Sequence, residues 1–425
     1  MIVYVLNKHG KPLMPCKPAK ARHLLKDGKA KVVKTEPFTI QLLYGSSGYT
    51  QPITLGIDAG SKHIGISASS DKSELYAADV ELRNDITENL STRRQNRRNR
   101  RNRKTRYRKS RFLNRVKSKN KGWLAPSVEN KIQTHLKVIR EVHKILPISK
   151  VIVEAASFDI QKIQNPNISG MEYQEGNQLG FWNVREYVLW RDDHKCQYCH
   201  GKAGDKILNV HHIESRKTGG NAPNNLVTLC ETCHKKYHQG EINLNIKRGK
   251  SFRDAAFMGI MKWAFYDRLK MLYPNIQMTF GYLTKNKRIQ LGLPKEHYID
   301  AYCIAGNLDA ELLDYYYYQK QVRKTNRQIH KANILKGNKR KLNQAPKYVK
   351  GFQLFDKVKY NNKSYYIFGR RSSGYFDIRT LFGEKVNNGS ISCKKLNLLE
   401  TRRSLLTERR SRFSLMTEVT SLRTA

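Results

Sequence analysis

The sequence predicts an α/β protein of several domains. The chain has 425 residues, which is enough for more than one hydrophobic core. Short β-rich runs occupy both ends, three strand-like runs follow one another over residues 51–82, and helical patterns alternate with strands between residues 123 and 310.

The charge of the chain points to a polyanionic partner. Lys and Arg number 80 against 35 Asp and Glu, a net charge of +45. Repulsion of this size is best offset by the phosphates of a nucleic acid. No apolar run approaches a membrane-spanning length and no signal peptide opens the chain, so we expect a cytoplasmic protein that acts in the nucleoid. The seven cysteines are then thiols or metal ligands.

The first 92 residues predict two β-containing parts. Residues 1–50 alternate short β-rich runs with basic turns and predict a small β domain. The run QPITLGIDAGSKHIGISAS, followed by ELYAADVEL, predicts three strands joined by short turns, the start of an antiparallel meander.

Residues 93–115 form the most biased segment of the chain. Arg and Lys recur at spacings of three and four, on every face of a helix. One interpretation is a disordered basic tail. Because the run is internal, a helix that orders against nucleic-acid phosphates is favoured. Its candidate contacts are Arg93, Arg94, Arg97, Arg98, Arg100, Arg101, Arg103, Arg106 and Arg108.

The rest of the chain predicts further elements. An amphipathic helix after residue 123 leads to the strand KVIVEA, residues 160–180 predict a loop, and a helix precedes the cysteines at 196–238. A helix then covers residues 252–274, a strand and loop cover 276–293, and a helix starts after Pro294. Residues 319–350 are basic, 351–396 predict a small β module, and the last 25 predict a surface helix or disorder.

Two Cys-x-x-Cys pairs predict a structural zinc site. Cys196 with Cys199, and Cys230 with Cys233, have the spacing of two zinc knuckles. Four thiolates complete a closed tetrahedral zinc site, so the nearby histidines are not needed for it.

Four histidines surround this site. His234 and His238 lie on one face if CHKKYH is helical, and two imidazoles so placed can share a metal ion. The neighbours His211 and His212 point to opposite faces of a strand, so one can meet a metal while the other meets a water. The alternative is a plain zinc ribbon whose histidines bind phosphate.

The segment CQYC…VHHIESR…GGNAPNNLVTLCETCHKKYH resembles the HNH endonuclease family. The resemblance implies a ββα-metal fold over residues 186–241. It implies that His212 is the general base, that Asn225 orients this base, and that His211, with His234 and His238, holds one catalytic divalent ion, Mg²⁺.

Three carboxylates lie beside apolar residues. Asp58 and Glu154 end strands, and Asp300 lies in a helix with His297 one turn before it. Each alone is explained by a cap or a salt bridge. Together they suit two Mg²⁺ ions about 4 Å apart. GIDAGSKHIGIS is also compatible with the phosphate loop of an actin-like ATPase or sugar kinase. VIVEAASF and HYIDAYCIA argue against this alternative because they resemble the second and third RuvC motifs, in order.

This order of motifs, with GKPLMPC near the start and RRQNRRNRR after the first motif, closely resembles the IscB family of transposon-encoded, RNA-guided nucleases, or RRXRR-domain proteins, relatives of the type II CRISPR effector. The resemblance implies a split ribonuclease H-like (RuvC) core with an inserted HNH domain. The implied parts are a PLMP domain (1–50), RuvC-I (51–92), an arginine-rich bridge helix (93–121), RuvC-II and a linker (122–184), HNH (185–245), RuvC-III (246–318) and a C-terminal domain with a tail (319–425) that reads a target-adjacent motif.

The resemblance also implies partners and a reaction. A monomeric protein would form a ribonucleoprotein with a guide (ω)RNA and cut double-stranded DNA. HNH would cut the guide-paired strand, and RuvC the displaced strand. Two alternatives remain open: a guide-independent HNH endonuclease of homing or restriction type, and a non-enzymatic RNA-binding zinc protein.

Overall fold

The chain has a mixed α/β, multi-domain architecture. The computed structural model describes residues 2–102, 123–154, 183–214, 222–249, 253–323 and 346–412. Two compact units are present: the first comprises Met1–Ala156 and Met261–Ala425, and the second comprises Ser157–Ile260. Within the described ranges, no helix is both long and apolar enough to span a membrane.

The described residues form eight α-helices and seventeen strands. The helices are α1 (Pro18–Lys26), α2 (Ile86–Asn102), α3 (Pro126–His143), α4 (Val184–Arg191), α5 (Glu231–Gln239), α6 (Arg253–Leu272), α7 (Gly281–Gln290) and α8 (His297–Ala305). The strands are β1 (Tyr4–Leu6), β2 (Ala30–Lys34), β3 (Thr39–Leu42), β4 (Thr54–Ala59), β5 (His63–Ser69), β6 (Glu74–Glu81), β7 (Lys150–Glu154), β8 (Leu208–His212), β9 (Leu226–Cys230), β10 (Ile276–Thr279), β11 (Tyr315–Gln321), β12 (Lys357–Tyr360), β13 (Lys363–Arg370), β14 (Tyr375–Arg379), β15 (Ile391–Ser392), β16 (Asn397–Glu400) and β17 (Leu405–Ser411).

The first 42 residues form a small sheet with one helix. The strand order is β1-β3-β2, with β1 parallel and β2 antiparallel to β3. Ala21 of α1 packs with Val5 and Ile40 in the core of this part. The sequence predicted the β-rich runs but not α1, which begins at Pro18, a residue suited to the first turn of a helix.

A seven-stranded sheet organises the first unit. Its order is β10-β7-β4-β5-β6-β11-β17. Strands β4, β5 and β6 are consecutive antiparallel neighbours, which confirms the predicted meander. Strand β7 pairs parallel with β4, and β10 pairs parallel with β7. Because β4 and β7 run in the same direction, their carboxyl ends meet at one edge of the sheet.

Helix α8 packs directly on this sheet at two glycines. A Cβ atom added to Gly56 would lie 2.1 Å from the carbonyl oxygen of Ala301, and one added to Gly65 would lie 1.8 Å from that of His297. Every residue of α8 except His297 and Asp300 is buried. The backbone of the helix therefore contacts the backbone of the sheet directly at these two glycines. The side chains of His297 and Asp300 stay partly exposed at the edge of this contact.

Residues 280–290 differ from the prediction. The sequence was interpreted as a strand followed by a loop, whereas the structure contains β10 and then helix α7. Gly281, at the first position of α7, and Gly292 are residues of a type common in loops. Gly292 has a φ angle of +63°, so it ends the helix in a left-handed conformation.

Residues 405–411 also correct the prediction. They were expected to form a surface helix or to be disordered, but β17 pairs antiparallel with β11 at the edge of the main sheet. The tyrosines of β11 supply the missing apolar contacts, since the Arg410 guanidinium lies 3.7 Å from the ring centroid of Tyr318. Arg412 Nη2 lies 2.8 Å from Glu74 Oε2, and both side chains are buried. Residues 413–425 lie outside the described ranges.

The small C-terminal β module is confirmed. Strands β12 to β16 form a sheet of order β15-β14-β13-β12-β16 around Val358, Ile367 and Phe376. In the second unit, β8 and β9 pair antiparallel and α5 follows β9 directly. The predicted loop at 160–180 lies outside the described residues.

Candidate functional site

Four cysteines of the second unit converge on one point. Cys196 and Cys199 follow α4, Cys230 ends β9, and Cys233 lies in the first turn of α5. Their sulfur atoms all lie within 4.8 Å of one another. All seven cysteines of the chain are free of disulfides. Four thiols in this arrangement suit a tetrahedral zinc ion, and they are the four cysteines of the two Cys-x-x-Cys pairs.

Three histidines form a second ligand set in the same unit. Nitrogen atoms of His211, His234 and His238 lie within 4.8 Å of one another, and the Nε2 atoms of His234 and His238 are 3.3 Å apart. His211 comes from β8, while the other two lie one turn apart on α5, as the sequence predicted.

The electrostatics of this set favour neutral imidazoles at His211 and His234. Burial, together with the neighbouring imidazoles, lowers the pKa of His211 to about 4. Burial and His238 also lower the pKa of His234. Nε2 of His211 is buried, and within the described part of the chain it has no hydrogen-bond partner. A neutral ring with an unshared lone pair is the form that binds a divalent ion, so these residues fit a metal site.

His212 and Asn225 lie beside this set. His212 follows His211 on β8, so the two side chains leave opposite faces of the strand. Asn225 is fully buried, and its amide accepts from the Glu214 amide nitrogen at 2.9 Å and donates to the Glu214 carbonyl at 3.0 Å. Asn225 therefore fixes the chain two residues after His212. Its predicted role in orienting His212 stays a prediction.

The candidate acids of the first unit gather at one edge of the main sheet. Asp58 of β4 and Glu154 of β7 are register partners on adjacent parallel strands. His297, the first residue of α8, donates from Nδ1 to Asp58 Oδ2 at 2.7 Å. This hydrogen bond raises the pKa of His297. Asp300 lies one turn further along α8.

Helix α7 supplies partners for two of these acids. Thr284 Oγ1 donates to Glu154 Oε2 at 2.5 Å, and Arg288 Nε lies 2.9 Å from Asp300 Oδ1. Sequence reasoning missed both residues because it assigned this segment to a loop. Their spacing of four was the available signal.

The acids influence one another. Burial raises the pKa of Glu154 and of Asp300, and the negative charge of Asp58 raises both further. A cation bound between the three carboxylates would offset this repulsion. Carboxylate oxygens are also ligands that Mg²⁺ prefers, so these residues fit a Mg²⁺ site. In the described ranges, however, sets of three or more ligand atoms within 4.8 Å are confined to the cysteines and histidines of the second unit. The expected pair of Mg²⁺ ions therefore stays a prediction.

A second histidine, which the sequence did not single out, supports His297. The ring of His63 stacks on that of His297, with centroids 5.2 Å apart and planes within 4°. His63 Nδ1 is 2.9 Å from Asp79 Oδ1 on the adjacent strand β6. His63 lies in the motif GIDAGSKHIGIS, five residues after Asp58, and this proximity was the available signal.

The arginine-rich segment is described only in part. Arg93 and Arg94 lie in α2, which begins at Ile86 rather than at residue 93. For the remaining candidate contacts, the structure describes either the backbone without the side chain or neither of them. These are Arg97, Arg98, Arg100, Arg101, Arg103, Arg106 and Arg108.

Two family comparisons cover much of the chain. The RRXRR protein family matches residues 3–176, and the HNH endonuclease family matches residues 196–240. Anaredoxin of Nostoc sp. (strain PCC 7120 / SAG 25.82 / UTEX 2576) is 38% identical over 58 residues, which are 13% of this chain and 74% of that protein. Over this segment the two chains belong to one family.

The solved structures are more distant. Streptococcus thermophilus Cas9 in complex with an AGGA PAM matches 43% of this chain with a TM-score of 0.30 and 14% identity. The same enzyme with an AGAA PAM matches 44% with a TM-score of 0.30 and 13% identity. The matched region spans 26% of each Cas9 chain.

The chain is thus a protein with an RRXRR domain followed by an HNH endonuclease domain, and the second domain supports a nuclease. This combination matches an IscB-like protein.

Proposed function

We propose that the chain is an RNA-guided endonuclease that cuts double-stranded DNA with two separate metal-dependent sites. The observation that carries the proposal is the presence of two chemically different sites in the two units of one chain. One is the histidine set of His211, His234 and His238. The other is the acid set of Asp58, Glu154 and Asp300 beside His297.

The second unit would cut the strand that pairs with the guide. His212 would accept the proton of the attacking water, and Asn225 would hold the chain that follows it. His211, His234 and His238 would hold one Mg²⁺ ion, which would supply stabilisation of the negative charge that develops in phosphodiester hydrolysis. The four cysteines would hold a structural zinc ion that fixes β9 and α5, and with them two of the three ligand histidines.

The first unit would cut the displaced strand within a split RuvC core of ribonuclease H type. Asp58 and Glu154, with Asp300, would bind Mg²⁺ through their carboxylates. His297 would act as a proton carrier at this site, and its hydrogen bond to Asp58 fixes the ring. The antiparallel meander and the parallel strand β7 support this assignment because they bring the acids to one edge.

The guide would be a structured RNA bound by the basic surface. The net charge of +45 suits a protein that carries its own polyanion. Base pairing would select the target, and the C-terminal module would read a short adjacent motif.

The test uses the full chain, purified with the non-coding RNA encoded beside its gene, and a matched plasmid with Mg²⁺. The proposal predicts cutting only when RNA, matching sequence and metal are all present. Cutting of a fixed sequence without RNA would instead identify a guide-independent HNH endonuclease. Tight RNA binding that survives loss of the metal ligands, with no cleavage under any metal, would identify an RNA-binding zinc protein.

A further inference from the structure

Two aromatic rings stand exposed at the start of helix α7. Phe280 precedes the helix and Tyr282 is its second residue, and they are 49% and 64% exposed. Their ring centroids are 6.2 Å apart and their planes lie within 16° of each other. The two rings are nearly parallel and both are open to solvent, and we refer to this pair as the aromatic platform. The exposed face of an aromatic ring gains free energy when a planar ligand covers it.

The aromatic platform adjoins the acid site. Gly281 lies between the two aromatic residues, and a Cβ atom added to it would lie 2.8 Å from Glu154 Oε1. Two residues after Tyr282, Thr284 binds the other oxygen of the same carboxylate. The backbone that carries the rings therefore touches Glu154, so the platform adjoins the acid site in the fold.

The charge around the platform matches a phosphate chain. Helix α7 has no acidic residue and carries the exposed Lys285, and the exposed Lys295 follows the helix before α8. Lys287 and Arg288 of the same helix are half-buried, and Arg288 pairs with Asp300. Cationic side chains beside exposed rings are the combination that binds single-stranded nucleic acid, with phosphates on the cations and bases on the rings. A duplex is a poor ligand for such rings because its bases are already stacked.

We propose that Phe280 and Tyr282 stack bases of single-stranded DNA and so guide the displaced strand into the acid site. This inference rests on the proposed function, because it requires that the acid site cuts that strand. It adds a binding subsite for a DNA base, which neither the motifs nor the acids themselves define.

The test compares the two strand cuts in the full chain assembled with its guide RNA. The substrate is a matched duplex with 2-aminopurine at successive positions near the displaced-strand cut. The double variant Phe280→Ala/Tyr282→Ala should cut the displaced strand about 5- to 100-fold more slowly at subsaturating complex, since each base stacked on an aromatic ring contributes on this scale. The quenching of 2-aminopurine seen with wild type should also be lost, while the guide-paired strand is cut at the wild-type rate.

Two controls separate stacking from folding. The variant Phe280→Tyr/Tyr282→Phe keeps both rings and should retain displaced-strand cutting. Tyr49→Ala removes a 79% exposed ring in the segment before β4 and should leave both cuts unchanged.

Several results would overturn the inference. Equal displaced-strand cutting by wild type and the double alanine variant would overturn it alone. An equal fall in both cuts, or a fall in guide RNA affinity, would assign the rings to folding or to RNA binding instead. A wild-type complex that leaves the displaced strand intact would overturn the proposed function and the inference together.

Discussion

His297 donates a 2.7 Å hydrogen bond from Nδ1 to Oδ2 of Asp58, which lies 239 residues earlier in the chain. The bond joins the first residue of α8 to strand β4, and α8 reaches that position only because Gly56 and Gly65 admit its backbone. The acid site thus depends on a helix that follows the whole second unit in sequence. Both the chemistry and the packing of this contact can be tested.

The stack of His63 on His297 should position the ring of His297, the proposed proton carrier. We expect His63→Ala to slow displaced-strand cutting about twofold to twelvefold, because an aromatic pair contributes roughly 0.5–1.5 kcal/mol. Strand-resolved single-turnover rates, measured as a function of pH, check this. His63→Phe keeps the stack and should recover most of the rate, whereas Asp79→Ala removes the hydrogen-bond acceptor of the His63 ring and should slow displaced-strand cutting. If the His63→Ala protein kept the wild-type rate and pH profile, His63 would have no role in positioning His297.

Gly65 should tolerate no side chain. In Gly65→Ala the new methyl group would overlap the His297 carbonyl, so α8 must move away from the sheet. We expect a loss of several kcal/mol in unfolding free energy, on the order of an overpacked core, and loss of displaced-strand cutting. Gly259→Ala is the matched control, since the same change in helix α6 meets open space and should be neutral or stabilising. Equal melting temperatures for the two variants would contradict the close packing of α8.

The four-cysteine site should hold one zinc ion per chain. Cys196→Ser should lower the zinc content, measured by elemental analysis, because it removes one of four ligands. It should also abolish cutting of the guide-paired strand while the displaced strand is still cut. Cys16→Ser alters a thiol in the N-terminal sheet and should change neither quantity. Full zinc content in Cys196→Ser would exclude this site.

The folded state should lose stability at acidic pH because of the buried side chain of His135. This histidine is fully buried in α3 against Phe265, and burial lowers its pKa to about 4. The unfolded chain binds a proton near pH 6.5 and the folded chain does not, so the folded state loses stability as pH falls from about 6.5 to 4. Between pH 7 and pH 5 the loss is on the order of 2 kcal/mol. Melting temperatures should therefore fall less over this range in His135→Gln than in wild type. Identical pH dependence in the two proteins would contradict the assignment.

Local patterns predicted the parts of the fold that depend on neighbouring residues. The meander and helices α3 and α8 each carry their own periodicity. The Cys-x-x-Cys and His spacings single out cysteines and histidines that the structure brings together in the second unit. The family comparisons then confirmed an HNH domain at residues 196–240.

The features that the sequence missed depend on distant partners. Strand β17 has a polar sequence, and its Arg410 packs on a tyrosine ring of the distant strand β11. Arg412 can be buried because it pairs with Glu74, which lies 338 residues earlier in the chain. Thr284 binds Glu154, and Arg288 pairs with Asp300. No local sequence pattern relates these partners to each other. His63 likewise becomes part of the site only through its stack on His297.

The most direct measurement is strand-resolved cleavage of a matched duplex by the complex of the full chain with guide RNA, using His212→Ala and Asp58→Ala. Two independent sites predict that His212→Ala cuts the displaced strand alone and that Asp58→Ala cuts the guide-paired strand alone, each at the wild-type rate for the remaining strand. If either single variant abolished both cuts, the two-site account would be contradicted.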